Sequence, residues 1–100
     1  MAKLFIIIKG EYFNQILSET KKEEYRIVKP FWAKKIIDKK YSHIIFQKGY
    51  NKNTPRIEAE YLGYEIRKIN HKHFGELFEM ECFVLKLGNI RPHEKTLPRY

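Results

Sequence analysis

Apolar residues recur along this chain in two rhythms, one of strands and one of helices. Lys3 to Lys9 (KLFIIIK) is a continuous run rich in β-branched residues, which predicts a strand buried on both faces. Gly10 ends it. Tyr12, Phe13, Ile16 and Leu17 then return at helical spacing and predict a short helix over about Glu11 to Glu19. After a charged turn, Glu23 to Val28 alternates as a second strand, with Glu24, Arg26 and Val28 on one face and Glu23, Tyr25 and Ile27 on the other. Pro30 suits the first turn of a second helix, whose buried face would be Trp32, Ala33, Ile36 and Ile37. His43 to Gln47 reads as a third strand, and Lys48 to Arg56 as a loop by its Gly, Asn and Pro content. Ile57 to Lys68 alternates, with Gly63 marking a bulge or bend. Gly75 precedes the last long strand, Glu76 to Leu87, on which Phe78, Met80, Cys82 and Val84 share a face.

Five to six strands with two short helices, both early, make an α+β pattern dominated by β-structure. A small, partly closed β-barrel flanked by the two helices would bury these strands without leaving a long bare edge. The 100 residues leave no room for a second core, so residues 1–90 read as one domain. Arg91 to Tyr100, with Pro92 and Pro98, reads as an irregular tail.

Composition narrows the classes. Hydrophobic residues at 43% and aromatics at 15% are enough for a packed core. No apolar run approaches the ~20 residues that cross a bilayer, so no membrane partner is expected. The opening MAKLFIIIKG lacks a long apolar region and a small-residue cleavage site, and reads as a strand rather than a signal peptide. Cys82 is the one cysteine, which excludes an internal disulfide and suits a cytoplasmic protein. Placed among apolar residues, it reads as buried and inert. The net charge of +8, from 20 Lys+Arg against 12 Asp+Glu, points to a polyanion, a nucleotide or an acidic surface as partner. The same richness in Lys, Ile, Tyr and Asn follows from a low-GC genome, so charge alone does not decide.

The densest chemistry is ETKKEEYR, Glu19 to Arg26, which places Lys21, Glu24 and Arg26 within six residues at the helix-to-strand junction. A cation, a carboxylate and a guanidinium there can hold a planar ligand with donors and acceptors, such as a nucleobase, or a phosphate beside it. Lys21 would serve as base or clamp, Arg26 as orienter or oxyanion stabiliser, and Glu24 as acceptor or water activator. The plainer alternative is an ion pair between Glu24 and Arg26, two apart on one strand face. A second cluster, Lys48, Tyr50, Lys52 and Arg56, interleaves cations with an aromatic as single-stranded nucleic acid requires; an ordinary solvated loop is the competing reading. Lys34 and Lys35 on the second helix would add electrostatic attraction, and Tyr25, Trp32 and Tyr64 are candidate stacking platforms. His71 and His73 share a face, but no further ligand pair has convincing spacing, so no metal is expected. There is no P-loop, dinucleotide fingerprint or Ser/His/Asp pattern, and no cofactor is expected.

The order of helix, charged turn and strand, with Lys21, Glu24 and Arg26 at these spacings, resembles the ASCH domain of the PUA-like superfamily, whose signature is G-x-K-x-x-E-x-R. The chain departs from it at the first position, where Glu19 replaces the glycine that serves the turn after the helix. The resemblance implies a PUA-like β-barrel with a cleft beside that turn and a role with RNA, a nucleotide or a modified base. Some small bacterial members are amidohydrolases that deacylate N4-acetylcytidine; in them the motif lysine is catalytic, a threonine stands where this chain has Glu24, and a downstream carboxylate completes the site. Without that threonine a threonine-nucleophile mechanism does not transfer, and Thr20 is in the wrong register. Glu58, Glu60, Glu65, Glu79 and Glu81 all lie on candidate strands from which such a carboxylate could come. The leading expectation is an RNA-, base- or nucleotide-binding domain. The alternatives are a small hydrolase of acylated nucleosides, with Lys21 and Glu24 activating water, and a basic protein-interaction module.

Overall fold

The elements follow the hydrophobic rhythm closely. A computed structural model describes residues 2–51, 53–73 and 76–93, with only the backbone of 71–73. Its elements are β1 (Ala2–Ile8), α1 (Gly10–Leu17), β2 (Glu23–Ile27), α2 (Pro30–Ile36), β3 (Tyr41–Lys48), β4 (Arg56–His73) and β5 (Glu76–Pro92). The five strands form one sheet in the order β1-β3-β4-β5-β2, in which β1 and β3 are parallel and every other pair is antiparallel. The last strand continues to Pro92, two residues into the segment expected to be irregular, and residues 94–100 lie outside the described residues.

The architecture is α+β, with two helices on a mixed sheet that is not closed. The barrel expected from the sequence would need β1 to pair with β2, and these strands are instead the two edges. The reason lies in the helices. Phe13 and Ile16 of α1 and Ile36 of α2 join the same buried cluster as Leu4, Ile44, Phe46, Ile57 and Leu85. Both helices therefore cover one face, and that face is sealed by them rather than by closure of the sheet.

One-sided cover also overturns the expectation that the first strand is buried on both faces. Leu4, Ile6 and Ile8 point into the core, whereas Phe5 on the other face of this edge strand is 41% exposed. Along β5 the core-facing residues are Phe83, Leu85 and Leu87. Cys82 and Val84 share the opposite face with Phe78 and Met80, as alternation predicts, and are fully buried between their neighbours on β2 and β4. Phe78 is largely exposed, because there the β4–β5 hairpin has run past the ends of β2 and β3.

Gly63 is the bend the sequence indicated. It sits at φ 106, and the register of β4 slips there: Tyr61 opposes Leu87, but Tyr64 opposes Leu85. One extra residue on β4 reverses its parity. Ile57, Ala59 and Tyr61 face the core before the bulge and Tyr64 after it, where its ring meets Phe83 edge-on at 5.6 Å.

The turn after α1 decides where β2 begins. Glu19 adopts φ 62. Thr20 N–H donates to the Gln15 carbonyl at 3.0 Å and Glu19 N–H to that of Ile16 at 3.0 Å. This is a Schellman motif with Glu19 in the left-handed position that glycine normally fills. The left-handed turn is therefore formed without a glycine, and the cost of a side chain there is borne locally. Glu19→Gly is expected to stabilise the fold by about 1 kcal/mol, which raises Tm by roughly 4–8 °C in a domain of this size. A thermal melt showing no rise would mean that the turn is not strained.

Candidate functional site

The turn delivers Lys21 to the end of α1, where its N–H, like that of Thr20, donates to the Gln15 carbonyl at 3.1 Å. Two residues later β2 begins. Its register pairs Glu24 with Leu85 and Arg26 with Phe83, both fully buried, so Glu24 and Arg26 lie on the face that looks into the core. Glu24 is consequently only 3% exposed. Lys21 Nζ stands 3.4 Å from its Oε1 and Arg26 Nη1 2.6 Å from its Oε2. The contact with Oε2 is an ion pair rather than a hydrogen bond: Arg26 Nη1 donates to the Tyr25 carbonyl at 2.8 Å, and Oε2 has no hydrogen-bond partner among the described residues. Burying a carboxylate costs several kcal/mol, and here two cations offset it.

Aromatic rings complete the setting. Lys21 Nζ lies 4.6 Å from the Tyr25 ring centre and 5.3 Å from that of Tyr12, and the Arg26 guanidinium lies 5.0 Å from Trp32. The structure thus brings Lys21, Glu24 and Arg26 together, and does so as the ion-paired cluster that the plainer alternative describes.

A cleft of about 600 Å³ opens beside this cluster, with Gln15, Thr20, Lys21, Tyr25, Leu62 and Lys86 in its walls. Of the three motif residues, Lys21 lines it, while Glu24 and Arg26 do not. On its far wall Tyr25 Oη donates to Glu23 at 2.8 Å, and Arg67 bridges Glu23 and Glu65. The hydrogen bond from Arg67, followed by that from Tyr25, lowers the pKa of Glu23. Burial, and then the hydrogen bond to Glu23, raises that of Tyr25.

The expected nucleic-acid residues do not form one patch. Lys34 and Lys35 are exposed on α2, with Lys35 Nζ 4.9 Å from the ring centre of Phe31. Tyr41 Oη donates to the Lys35 carbonyl, which ties α2 to the start of β3. Lys48 and Tyr50 belong to the other end of that eight-residue strand, roughly 23 Å away at a strand's rise. The Lys48 side chain lies against Gly10, where a Cβ would come within 3.2 Å of it, and Tyr50 is 88% exposed. Arg56 faces the opposite side of the sheet, donating to Gln47 at 2.9 Å with its guanidinium 5.2 Å from the Phe5 ring centre. Lys52 lies outside the described residues, as do the side chains of His71 and His73. Among the described residues no three His, Cys, Asp or Glu side chains converge as metal ligands, and no helix is long and apolar enough to cross a membrane.

One cluster escaped the sequence reading. Glu58, 5% exposed on the face away from the helices, accepts from Lys3 at 3.0 Å and from Arg91 at 2.7 and 3.1 Å, with His93 Nε2 at 3.5 Å. These groups surround a pocket of about 340 Å³. Burial alone would raise the Glu58 pKa, but the hydrogen bonds from Arg91 and Lys3 outweigh it and the pKa is lowered. Lys3, Glu58 and Arg91 come from three strands that are distant in sequence, so no local spacing could have shown the cluster. Of the candidate downstream carboxylates, Glu58 is thus engaged here and Glu65 with Arg67 and Lys86. Cys82 is fully buried, which raises its thiol pKa.

Compared with known proteins, the chain matches no family model, and no curated protein or solved structure is significantly similar to it.

Two outcomes follow from these charges. Arg26→Ala leaves Glu24 with one cation and uncovers Trp32, and is expected to cost about 3 kcal/mol in urea unfolding; a loss below about 1 kcal/mol would mean that the carboxylate reaches water once Arg26 is gone. Glu58, whose folded pKa lies below the ordinary 4.5, contributes stability that is present above that value and is lost as pH falls from 4.5 through the lower folded pKa. Thermal melts across this range should show a shallower acid loss for Glu58→Gln than for the native chain, and parallel curves would remove Glu58 from the account.

Proposed function

We propose that this chain is a cytoplasmic, ASCH-type domain of the PUA-like superfamily that binds RNA, or a modified base or nucleotide, in the cleft beside Lys21. Its sheet would be a PUA-like barrel left open between β1 and β2. The observation that carries the reading is the position of Lys21: at the cleft wall, 4.6 Å from the Tyr25 ring, and held from beneath by the buried Glu24. Every one of these contacts is one that a cation makes, with a carboxylate or with the face of a ring.

In this reading Lys21 clamps a phosphate or a base carbonyl. Lys86 adds a second cation, Tyr25 offers an apolar surface to a base, and Glu24 and Arg26 fix the lysine's position from the core side. Binding is favoured over hydrolysis because the carboxylate that would activate water is buried and paired with two cations rather than facing the cleft.

Titration with N4-acetylcytidine and with cytidine monophosphate, followed by Tyr and Trp fluorescence, tests the proposal. The native chain should bind one of them, and Lys21→Ala should weaken it by about tenfold or more, the value of a charged hydrogen bond. Release of free cytidine from acetylcytidine that is abolished in Lys21→Ala would make the protein a hydrolase instead. Capture of neither compound would overturn the nucleotide reading.

A further inference from the structure

Alternating cations and rings continue beyond the cleft. Lys21 sits between Tyr12 and Tyr25, and Glu24 joins it to Arg26. Arg26 lies over Trp32, Trp32 meets Phe31 edge-on at 5.0 Å, and Lys35 Nζ lies over Phe31. The series runs without a break from the turn after α1, across the edge strand β2, to the outer side of α2.

Core packing and ion pairing explain half of it. Glu24 accounts for Lys21 and Arg26, and Trp32 packs at the margin of the core. Neither accounts for Phe31, which is 53% exposed. Nor do they account for the local charge: residues 29–40 hold Lys29, Lys34, Lys35, Lys39 and Lys40 against the single acid Asp38, five cations to one anion. Exposed rings among lysines are what an unpaired strand of nucleic acid requires, because its bases have free faces to stack and its phosphates need cations. A duplex offers no such free faces along its length.

We infer that this ridge is the track of a single-stranded RNA whose one nucleotide occupies the cleft. A neighbouring base stacks on Phe31, and the phosphates on that side meet Lys34 and Lys35. The inference rests on the reading of the cleft as a nucleotide site, and it assigns the α2 lysines to that site's ligand while leaving Lys48 and Arg56 outside it.

The test compares cytidine monophosphate with a short oligocytidylate, the latter followed by fluorescence anisotropy, on the native chain, Lys21→Ala, Phe31→Ala and the Lys34→Ala/Lys35→Ala pair. Phe31 and both lysines are exposed, so these variants should fold, which circular dichroism checks. Phe31→Ala should weaken the oligonucleotide about tenfold and leave the mononucleotide unchanged. The lysine pair should reduce the slope of log affinity against log salt by about 1.4, at ~0.7 per phosphate contact. Lys21→Ala should weaken both ligands. Oligonucleotide affinity unchanged in Phe31→Ala and in the lysine pair overturns the ridge and leaves the cleft standing. Failure of the mononucleotide to bind, with the oligonucleotide still dependent on Phe31, overturns the cleft and supports the ridge. No binding of the oligonucleotide, with binding to phosphatidylcholine–phosphatidylserine vesicles lost in Phe31→Ala, overturns the ridge in favour of a lipid surface.

Discussion

A carboxylate as deeply buried as Glu24 gives up most of its hydration, and only cations held close can restore the loss. That requirement organises this end of the molecule. One cation, Lys21, comes from the turn after α1; the other, Arg26, comes from the same strand and reaches Trp32 on α2. A single buried charge thus couples a helix end, an edge strand and a second helix. Lys21 has little freedom to move away from the cleft wall while Glu24 remains beneath it.

The sheet supplies the frame for that arrangement. With both helices on one face, β4 and β5 form the shared centre, and β1 and β2 are left as edges. The consequence is a two-sided molecule. The helix-covered face holds the apolar core and, at its β2 margin, the Glu24 cluster. The other face holds Glu58 with Lys3 and Arg91, and the pair formed by Arg56 and Phe5. Buried carboxylates recur on both faces, each offset by cations: Glu24 takes them from two and three residues away along the chain and Glu58 from distant strands, but the Glu58 cluster lacks the ring-lined cleft that accompanies Lys21.

Not all the buried polar groups are matched. Tyr61 Oη is buried with no hydrogen-bond partner among the described residues, and burial pushes its pKa up to about 12. Its ring meets Tyr41 edge-on at 6.0 Å, just before the Gly63 bulge. A hydroxyl left unpaired at a point where the strand changes parity contributes packing through its ring and no net polar stabilisation.

Much of this was legible in the chain, because strand and helix periods are local. The seven elements, the parity that puts Glu24 and Arg26 on one face, the Gly63 bulge and the burial of Cys82 all follow from spacing within a few residues. The grouping of Lys21, Glu24 and Arg26 was visible for the same reason. Tertiary structure decided what spacing does not encode. The sheet stayed open because both helices pack on the same side, and that exposed Phe5 on a strand whose apolar run predicted cover on both faces. Strand order dispersed the basic residues, sending Arg56 to one face and Lys34 and Lys35 to the helix layer on the other, and it gathered Lys3, Glu58 and Arg91 from three strands. Hydrophobic period fixes which way a side chain points within its own element; which distant element it meets is set only when the strands choose their neighbours.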